Sequence, residues 1–228
     1  MKFVVITLFP DFVKSLEQYS IIGRAIKDKK IKLQVINLRD FGIGKYKQVD
    51  DKPYGGGPGM LLRVDVMAKA IGQAKKTAPK SKVVLLSPEG NKFDQAKAKS
   101  YAENKNLIIV CGHYEGFDER IKSYADEVVS LGDYVVSGGE IPAMIVIDAV
   151  YRLIPGVLGN PDSLANESFQ IPAINYRLST TNYDFPQYTR PEKFEGAEVP
   201  EILISGNHRE IEKWRKSNKK QLDEQTIS

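Results

Sequence analysis

Glycine is concentrated in four stretches of this 228-residue chain, and each sets pliable backbone beside side chains that could do chemistry. One reads Asp50-Asp51-Lys52-Pro53-Tyr54-Gly55-Gly56-Gly57-Pro58-Gly59-Met60. The others are Ser87-Pro88-Glu89-Gly90, Gly112-His113-Tyr114-Glu115-Gly116 and Leu131-Gly132-Asp133-Tyr134-Val135-Val136-Ser137-Gly138-Gly139-Glu140. The last three each follow a short apolar run. Glycine lets backbone approach a ligand closely, and in an open α/β sheet ligands bind outside the carboxyl ends of the strands. Three such loops in series predict a pocket lined by main-chain groups. None contains the Gly-Lys-Ser/Thr of a phosphate-binding loop, and G-x-G-x-x-G after a strand is absent. They offer Glu115, Asp133 and Glu140 and no lysine. An acidic, partly apolar lining suits a neutral or cationic ligand better than a polyphosphate. A sulfonium cofactor fits that description, which composition alone does not name.

The Gly55–Gly59 stretch is of another kind. It reads as a loop away from any strand end, with Lys45, Lys47 and Lys52 around it and Tyr46 and Tyr54 among them. Cations interleaved with rings can grip a phosphate backbone and an unstacked base. A solvated surface loop has the same composition.

The elements that must position these loops follow from periodicity. Apolar runs predict strands at 2–9, 32–38, 83–86, 107–111 and 127–131, and helical spacing predicts helices at 11–28, 64–76, 92–104 and 139–153. Such alternation, with nearly continuous apolar strands, argues for a parallel sheet covered on both faces. After Leu158-Gly159 the character changes: 160–188 is rich in Asn, Pro, Ser, Thr and Tyr and reads as a linker or long loop. Residues 202–208 then read as a strand or turn leading into a basic helix at 208–220, where Trp214 is a docking anchor rather than a base-stacking platform. The domains expected are 1–159, a linker or lid at 160–185, and a small carboxyl-terminal domain at 186–228.

Composition sets outer limits. A net charge of +4 is compatible with a polyanionic partner without requiring one. The lone Cys111 excludes an intramolecular disulfide and a thiolate zinc cluster, and its apolar run, Leu107 to Val110, marks a buried thiol. His113 and His208 are the only histidines. The apolar stretch after Met1-Lys2 breaks at Pro10-Asp11, so it reads as a strand and not as a signal peptide. No run approaches the roughly 20 apolar residues of a membrane span, which points to a cytoplasmic protein with no membrane partner.

Taken in order, the motifs resemble a known family. Val49 to Met60, Leu86-Ser87-Pro88-Glu89-Gly90, Cys111-Gly112-His113-Tyr114-Glu115-Gly116-Phe117-Asp118-Glu119-Arg120 and Gly132 to Glu140 are similar to signature segments of the bacterial tRNA (guanine-N1)-methyltransferases that modify position 37, the TrmD family of the SPOUT superfamily. Arg152 to Gly159, Tyr188-Thr189-Arg190-Pro191 and Ser205-Gly206-Asn207-His208 continue the match in register, so that it covers nearly the whole chain.

The resemblance implies an α/β fold whose parallel sheet ends in a trefoil knot, a small mainly helical carboxyl-terminal domain, and a homodimer with each active site between two subunits. It implies S-adenosylmethionine as cofactor, with magnesium a further candidate, and tRNA as partner. Cofactor-binding positions carried over are Leu86, Ser87, Pro88, Gly112, Tyr114, Glu115, Gly116, Leu131, Gly132, Asp133, Tyr134, Val135, Val136, Gly138, Gly139 and Asp184. Those for tRNA are Gly55, Pro58, Gly59, Met60, Arg190, Lys213 and Arg215. No dedicated metal ligand is assigned.

The implied chemistry makes its own demands. Guanine N1 is protonated at neutral pH, so methyl transfer needs a base, and the charge that develops on O6 needs a cation or donor. Arg152 matches the family's arginine for O6, and the base position falls on Glu167, where the family has an aspartate. Glutamate has similar acidity but one more methylene, so its carboxylate must be repositioned. An RNA-binding relative with little or no turnover is the competing expectation; a ribose 2′-hydroxyl methylase is disfavoured by the segments at 50–60 and 186–191. Three further departures stand out. Sixteen residues separate Phe169 from Pro186, more than the family usually has; His113 stands where an arginine is common; and the chain stops soon after the basic helix, leaving Lys213, Arg215 and Lys216 to carry more of the tRNA grip.

Overall fold

The computed structural model of the chain describes residues 1–159, 168–169 and 183–219. It separates into two compact units, Met1–Gly159 and Asn160–Ser228, each taken by itself below.

The first unit is built on five parallel strands. These are β1 (Lys2–Thr7), β2 (Lys32–Asn37), β5 (Lys82–Lys92), β6 (Asn106–Val110) and β7 (Glu127–Ser130), ordered β2-β1-β6-β5-β7. The two remaining strands of the unit, β3 (Asp50–Asp51) and β4 (Leu61–Leu62), form a small antiparallel hairpin whose connection is the glycine-rich segment 52–60. The expected parallel α/β sheet is therefore present, and the Gly55–Gly59 loop is the tip of a hairpin.

Side chains alternate across a strand, and here both faces are apolar because both are covered. Phe3, Val5, Leu107, Ile109, Val84 and Val129 face one core layer with Ile22, Ala98, Tyr101, Val146 and Val150. Val4, Ile6, Ile108, Val110, Val83 and Leu85 face the other with Val66, Met67, Ala70 and Ile71. The helices α2 (Ser20–Lys27), α4 (Gln95–Ala102) and α5 (Glu140–Tyr151) supply the first layer, and α3 (Val64–Thr77) the second. Buried aliphatic side chains each contribute about 1.5–3 kcal/mol, which makes these two layers the main source of the unit's stability.

Three local expectations are corrected. Residues 11–28 do not form one helix: α1 (Pro10–Lys14) passes through a 3₁₀ turn at Ser15–Gln18, and the run is broken at extended Tyr19 and at Ser20, the first residue of α2, with φ of 57°. Ser87–Gly90 is not a loop beyond a finished strand. Leu86 and Asn91 both pair with Val129, so the segment is extruded as a bulge from within β5. Residues 202–208 form no strand, because Glu201–Ile204 is a short helix, α6.

The second unit contains a hairpin of β8 (Lys193–Phe194) and β9 (Ala197–Glu198), then α6 and α7 (His208–Ser217). Asn207 starts α7 by accepting the Glu210 amide on its side chain, a conventional amino-terminal cap. Trp214 packs edge-on to Phe185 and against Tyr188, so it anchors α7 within this unit. Among the described residues no helix is long and apolar enough to cross a membrane.

Candidate active site

The post-strand segments converge. The β5 bulge, the turn after β6 and the long turn between β7 and α5 enclose a cavity of about 250 Å³. Of the positions expected to hold a cofactor, Leu86, Ser87, Pro88, Gly112, Tyr114, Glu115, Gly116, Leu131, Gly132, Tyr134, Val135, Val136, Gly138 and Gly139 line it. Asp133 does not: its exposed carboxylate is ion-paired with Lys92 at 2.7 Å. Asp184 belongs to the second unit, where it accepts from the Phe185 amide at 2.8 Å and from Gln187 Nε2 at 2.9 Å.

The lining also includes His113, Phe117, Val129, Ser130, Ser137 and Pro142, which the loop-by-loop reading passed over. His113 and Ser137 lie inside the motifs themselves. Phe117, Val129 and Pro142 are apolar residues of the surrounding frame, and nothing in their spacing separates a cavity wall from ordinary core.

Backbone hydrogen bonds fix this geometry. The Gly139 amide donates to the Gly112 carbonyl at 2.8 Å, drawing the start of α5 onto the turn after β6. Tyr114 holds a left-handed φ of 59°, rare for an aromatic residue and a strain of about 1 kcal/mol or more that marks a constrained turn. Its ring meets the His113 ring edge-on at 4.8 Å. Below the cavity, burial and then the charge of Glu140 push the Cys111 thiol well above its ordinary range. That environment suppresses the thiolate, so Cys111 is a core residue and not a nucleophile.

The β3–β4 loop is joined to the same cavity. The Glu115 amide donates to the Met60 carbonyl at 3.1 Å, Leu62 to the Gly116 carbonyl at 2.9 Å, and Asp118 to the Leu62 carbonyl at 3.0 Å. Gly59, with φ of +80°, lies so close that a Cβ there would sit 2.2 Å from Glu115 Cγ. Beyond this seam Tyr54 is 99% exposed and Tyr46 88% exposed. Gly55 and Gly59 take positive φ, while Pro58 lies between them and Met60 is half-buried at the seam.

A second cavity of about 410 Å³ flanks the loop, lined by residues that include Lys52, Tyr54, Arg63 and Arg120. Its arginines are tied down. Arg63 reaches Asp51 at 2.8 Å and grips Asp65 with two bonds of 3.1 Å, which lowers the Asp65 carboxyl below its usual range. Arg120 holds Asp118 at 2.8 and 2.6 Å, with the same effect on that carboxyl.

A sequence model described as tRNA (Guanine-1)-methyltransferase TrmD matches residues 1–226. The chain belongs to the tRNA (guanine-1)-methyltransferase family. It is 47% identical over 212 residues to a tRNA (guanine-N(1)-)-methyltransferase of Dictyoglomus turgidum, covering 93% of this chain and 82% of that one. It is 49% identical over 213 residues to the protein so named in Pseudoalteromonas translucida, covering 92% and 80%. Among solved structures it resembles the tRNA (m1G37) methyltransferase from Aquifex aeolicus, with a TM-score of 0.76, 38% identity, and coverage of 94% of this chain and 87% of that one.

Arg152, expected to stabilise O6, is half-buried at the carboxyl end of α5. Its neighbour Tyr151 is pushed up to about 12 by burial and by a hydrogen bond to Asp148, against the opposing Arg152 charge. Glu167, expected as the base, lies outside the described residues. In the second unit Arg190 is exposed, Lys213 pairs with Glu210 at 2.7 Å, and the Arg215 guanidinium lies 5.0 Å above the Phe185 ring. Among the described residues no three His, Cys, Asp or Glu side chains gather in a way that could hold a metal ion.

Proposed function

We propose that this chain transfers a methyl group from S-adenosylmethionine to N1 of guanine 37 in tRNA. One observation carries the reading: in a member of this family, a lysine-free, glycine-built cavity is sewn by backbone hydrogen bonds to an exposed, glycine-rich hairpin loop that carries Lys52 and Tyr54. The lining suits the cofactor. Main-chain groups from three turns can take its polar ends, apolar walls its rings, and Glu115 favours a cation over a polyphosphate. The positions assigned to it are those carried over by resemblance, Asp133 and Asp184 included.

S-adenosylmethionine supplies an electrophilic methyl group on a positively charged sulfur. Glu167 takes the N1 proton of guanine, and Arg152 stabilises the negative charge that grows on O6. Tyr54 and the loop residues Gly55, Pro58, Gly59 and Met60 hold the base and its neighbours, while Arg190, Lys213 and Arg215 contact the RNA backbone. Magnesium has no matching ligand cluster among the described residues, and no step is assigned to it.

The cofactor turns form a trefoil knot within a domain at 1–159, and residues 186–219 belong to the small helical tRNA-binding domain expected over 186–228; the linker or lid expected at 160–185 falls largely outside the described residues. The active form is a homodimer with the site between two copies, Asp184 reaching the cofactor of the other subunit. An apolar strip supports this: on α5, Ile141 is 52% exposed and Ile145, one turn on, is 45% exposed, both on the face that leads to Arg152. A tRNA substrate places the reaction in the cytoplasm.

The deciding experiment incubates purified protein with labelled S-adenosylmethionine and transcripts carrying guanine or adenine at position 37. Label on the guanine transcript alone is expected. Label on both, or on neither, overturns the proposal, and tight tRNA binding without label would favour a non-catalytic relative. Glu167→Gln is expected to lower kcat about 10²–10⁴-fold, and full retention would remove Glu167 from the base role.

A further inference from the structure

At one edge of the cavity, two polar side chains flank the same small space. Glu140 opens α5 and is only 4% exposed. Its Oε1 accepts the Thr7 hydroxyl at 2.6 Å, and the fully buried Thr7 oxygen in turn accepts the Phe9 amide at 2.9 Å. The Thr7 proton is thereby committed to Glu140. His113, on the turn after β6, pairs by its backbone with Gly138. Its ring lies edge-on to Phe9 at 5.1 Å and to Tyr114 at 4.8 Å. Its Nδ1 is buried with no hydrogen-bond partner among the described residues.

Gly138 defines the space between them. A Cβ at that position would sit 2.5 Å from Glu140 Oε2 and 2.7 Å from His113 Nδ1. Glycine alone leaves the gap open, so the carboxylate oxygen and the ring nitrogen look into it from two sides. A buried polar atom left unsatisfied costs about 1–3 kcal/mol, whereas a hydrogen bond to a carboxylate is among the stronger ones. The nearest chemistry able to satisfy Nδ1 is a proton on it, donated to Glu140 after a small turn of the ring.

We infer that His113 and Glu140 form a proton-carrying pair across the face of Gly138, and that His113 is thereby a positioning residue for the cofactor cavity. Two segments that line the cavity, Gly112–Tyr114 and Gly138–Gly139, are the ones this pair ties together, beside the bond from the Gly139 amide to the Gly112 carbonyl. The pair acts on the cavity by holding the backbone of these two segments. The role assigned to it rests on the cofactor reading given above; the pair itself does not.

Two measurements test this on the full chain. In the first, nitrogen NMR of the imidazoles at neutral pH reads the protonation of Nδ1, with His113→Phe assigning the signal. A protonated Nδ1 is expected, which Glu140→Gln converts to the other tautomer, because a glutamine can keep the Thr7 bond and present an N–H to the ring. An unprotonated Nδ1 in the unsubstituted protein, or no response to Glu140→Gln, overturns the pair.

The second titrates S-adenosylhomocysteine by calorimetry. His113→Phe is expected to weaken binding about tenfold, or about 1.4 kcal/mol, at a temperature where circular dichroism shows the variant fully folded. His113→Asn, which can offer an N–H near the place of Nδ1, restores binding to within about threefold. In turnover, KM for S-adenosylmethionine rises in His113→Phe while kcat at saturation holds, a split that simple loss of folded protein does not produce. Unaltered affinity in His113→Phe, or no rescue by His113→Asn, overturns the positioning role. Failure of the unsubstituted protein to bind S-adenosylhomocysteine defeats the cofactor reading instead, and the NMR result still judges the pair.

Discussion

Gly59 and Glu115, 56 positions apart in sequence, touch so closely that no side chain larger than hydrogen fits between them. The contact ties the hairpin loop that could meet RNA to a wall of the cavity that could hold the cofactor. Gly59→Ala breaks it twice over, by placing a Cβ against the Glu115 side chain and by forcing a non-glycine residue to φ of +80°. Strain of about 1–3 kcal/mol is expected locally. The measurable outcome is a drop of about tenfold or more in kcat/KM for tRNA, with circular dichroism and cofactor-product binding changed far less. Equal losses in stability and activity would show that the loop is merely part of the fold.

The exposed strip on α5 gives a prediction about assembly. Ile145→Asp puts a charge where two copies are proposed to meet, while in a lone subunit the position is nearly half exposed and tolerant. Sedimentation is expected to show a dimer for the unsubstituted protein and a monomer for the variant, with little change in melting temperature of the monomer fold. Methyl transfer falls with the dimer. A variant that stays dimeric would move the interface elsewhere.

Glu127 offers a stability prediction with a definite pH dependence. It opens β7 and receives Lys97, Lys82 at 2.9 Å and the Tyr101 hydroxyl at 2.8 Å. Burial alone would raise its carboxyl, but the hydrogen bonds from Lys97, Lys82 and Tyr101 outweigh that and hold it at about 2. A folded value below the unfolded one, about 4.3, means that the stabilisation is present in full above that value. It is lost as pH falls toward 2. Glu127→Gln is expected to cost about 3 kcal/mol at pH 7 by urea denaturation, and the gap to the unsubstituted protein closes as pH drops below about 4. A gap independent of pH would place the effect in packing.

Cys111 should be silent to thiol reagents in the folded protein and react promptly once urea unfolds it. Its reaction rate therefore reports opening of the core beneath the cavity. Rapid modification of the native chain would contradict its burial.

The strands were legible because β1, β6 and the first half of β5 are unbroken apolar runs, a pattern that both-sided burial demands. The helix pattern at 11–28 misled for a physical reason: Val13 and Leu16 before the break, and Ile22, Ala25 and Ile26 after it, each keep helical spacing, while Ser20 makes the break with its backbone and not its side chain. Ser87–Gly90 reads as a turn by composition, and only the pairing of both flanking residues, Leu86 and Asn91, with Val129 reveals a bulge. At the site, glycine counts located the cavity turn by turn. The Gly59–Glu115 seam and the Glu140–Thr7 bond, which spans 133 positions, depend on tertiary contacts that no local pattern encodes.

The order β2-β1-β6-β5-β7 also has a consequence for how the chain is made. Strand β1 leaves the ribosome before both of its neighbours in the finished sheet, β2, which follows soon, and β6, which begins about a hundred residues later. Until then one edge of β1 has no permanent neighbour, and Phe3, Val4, Val5 and Ile6 wait beside it. Pairing at such separation is slow, and an open apolar edge invites the wrong partner. The nascent stretch from β1 up to β6 is thus in need of shelter, and a ribosome-bound chain stalled before residue 106 should engage chaperones that the completed protein ignores.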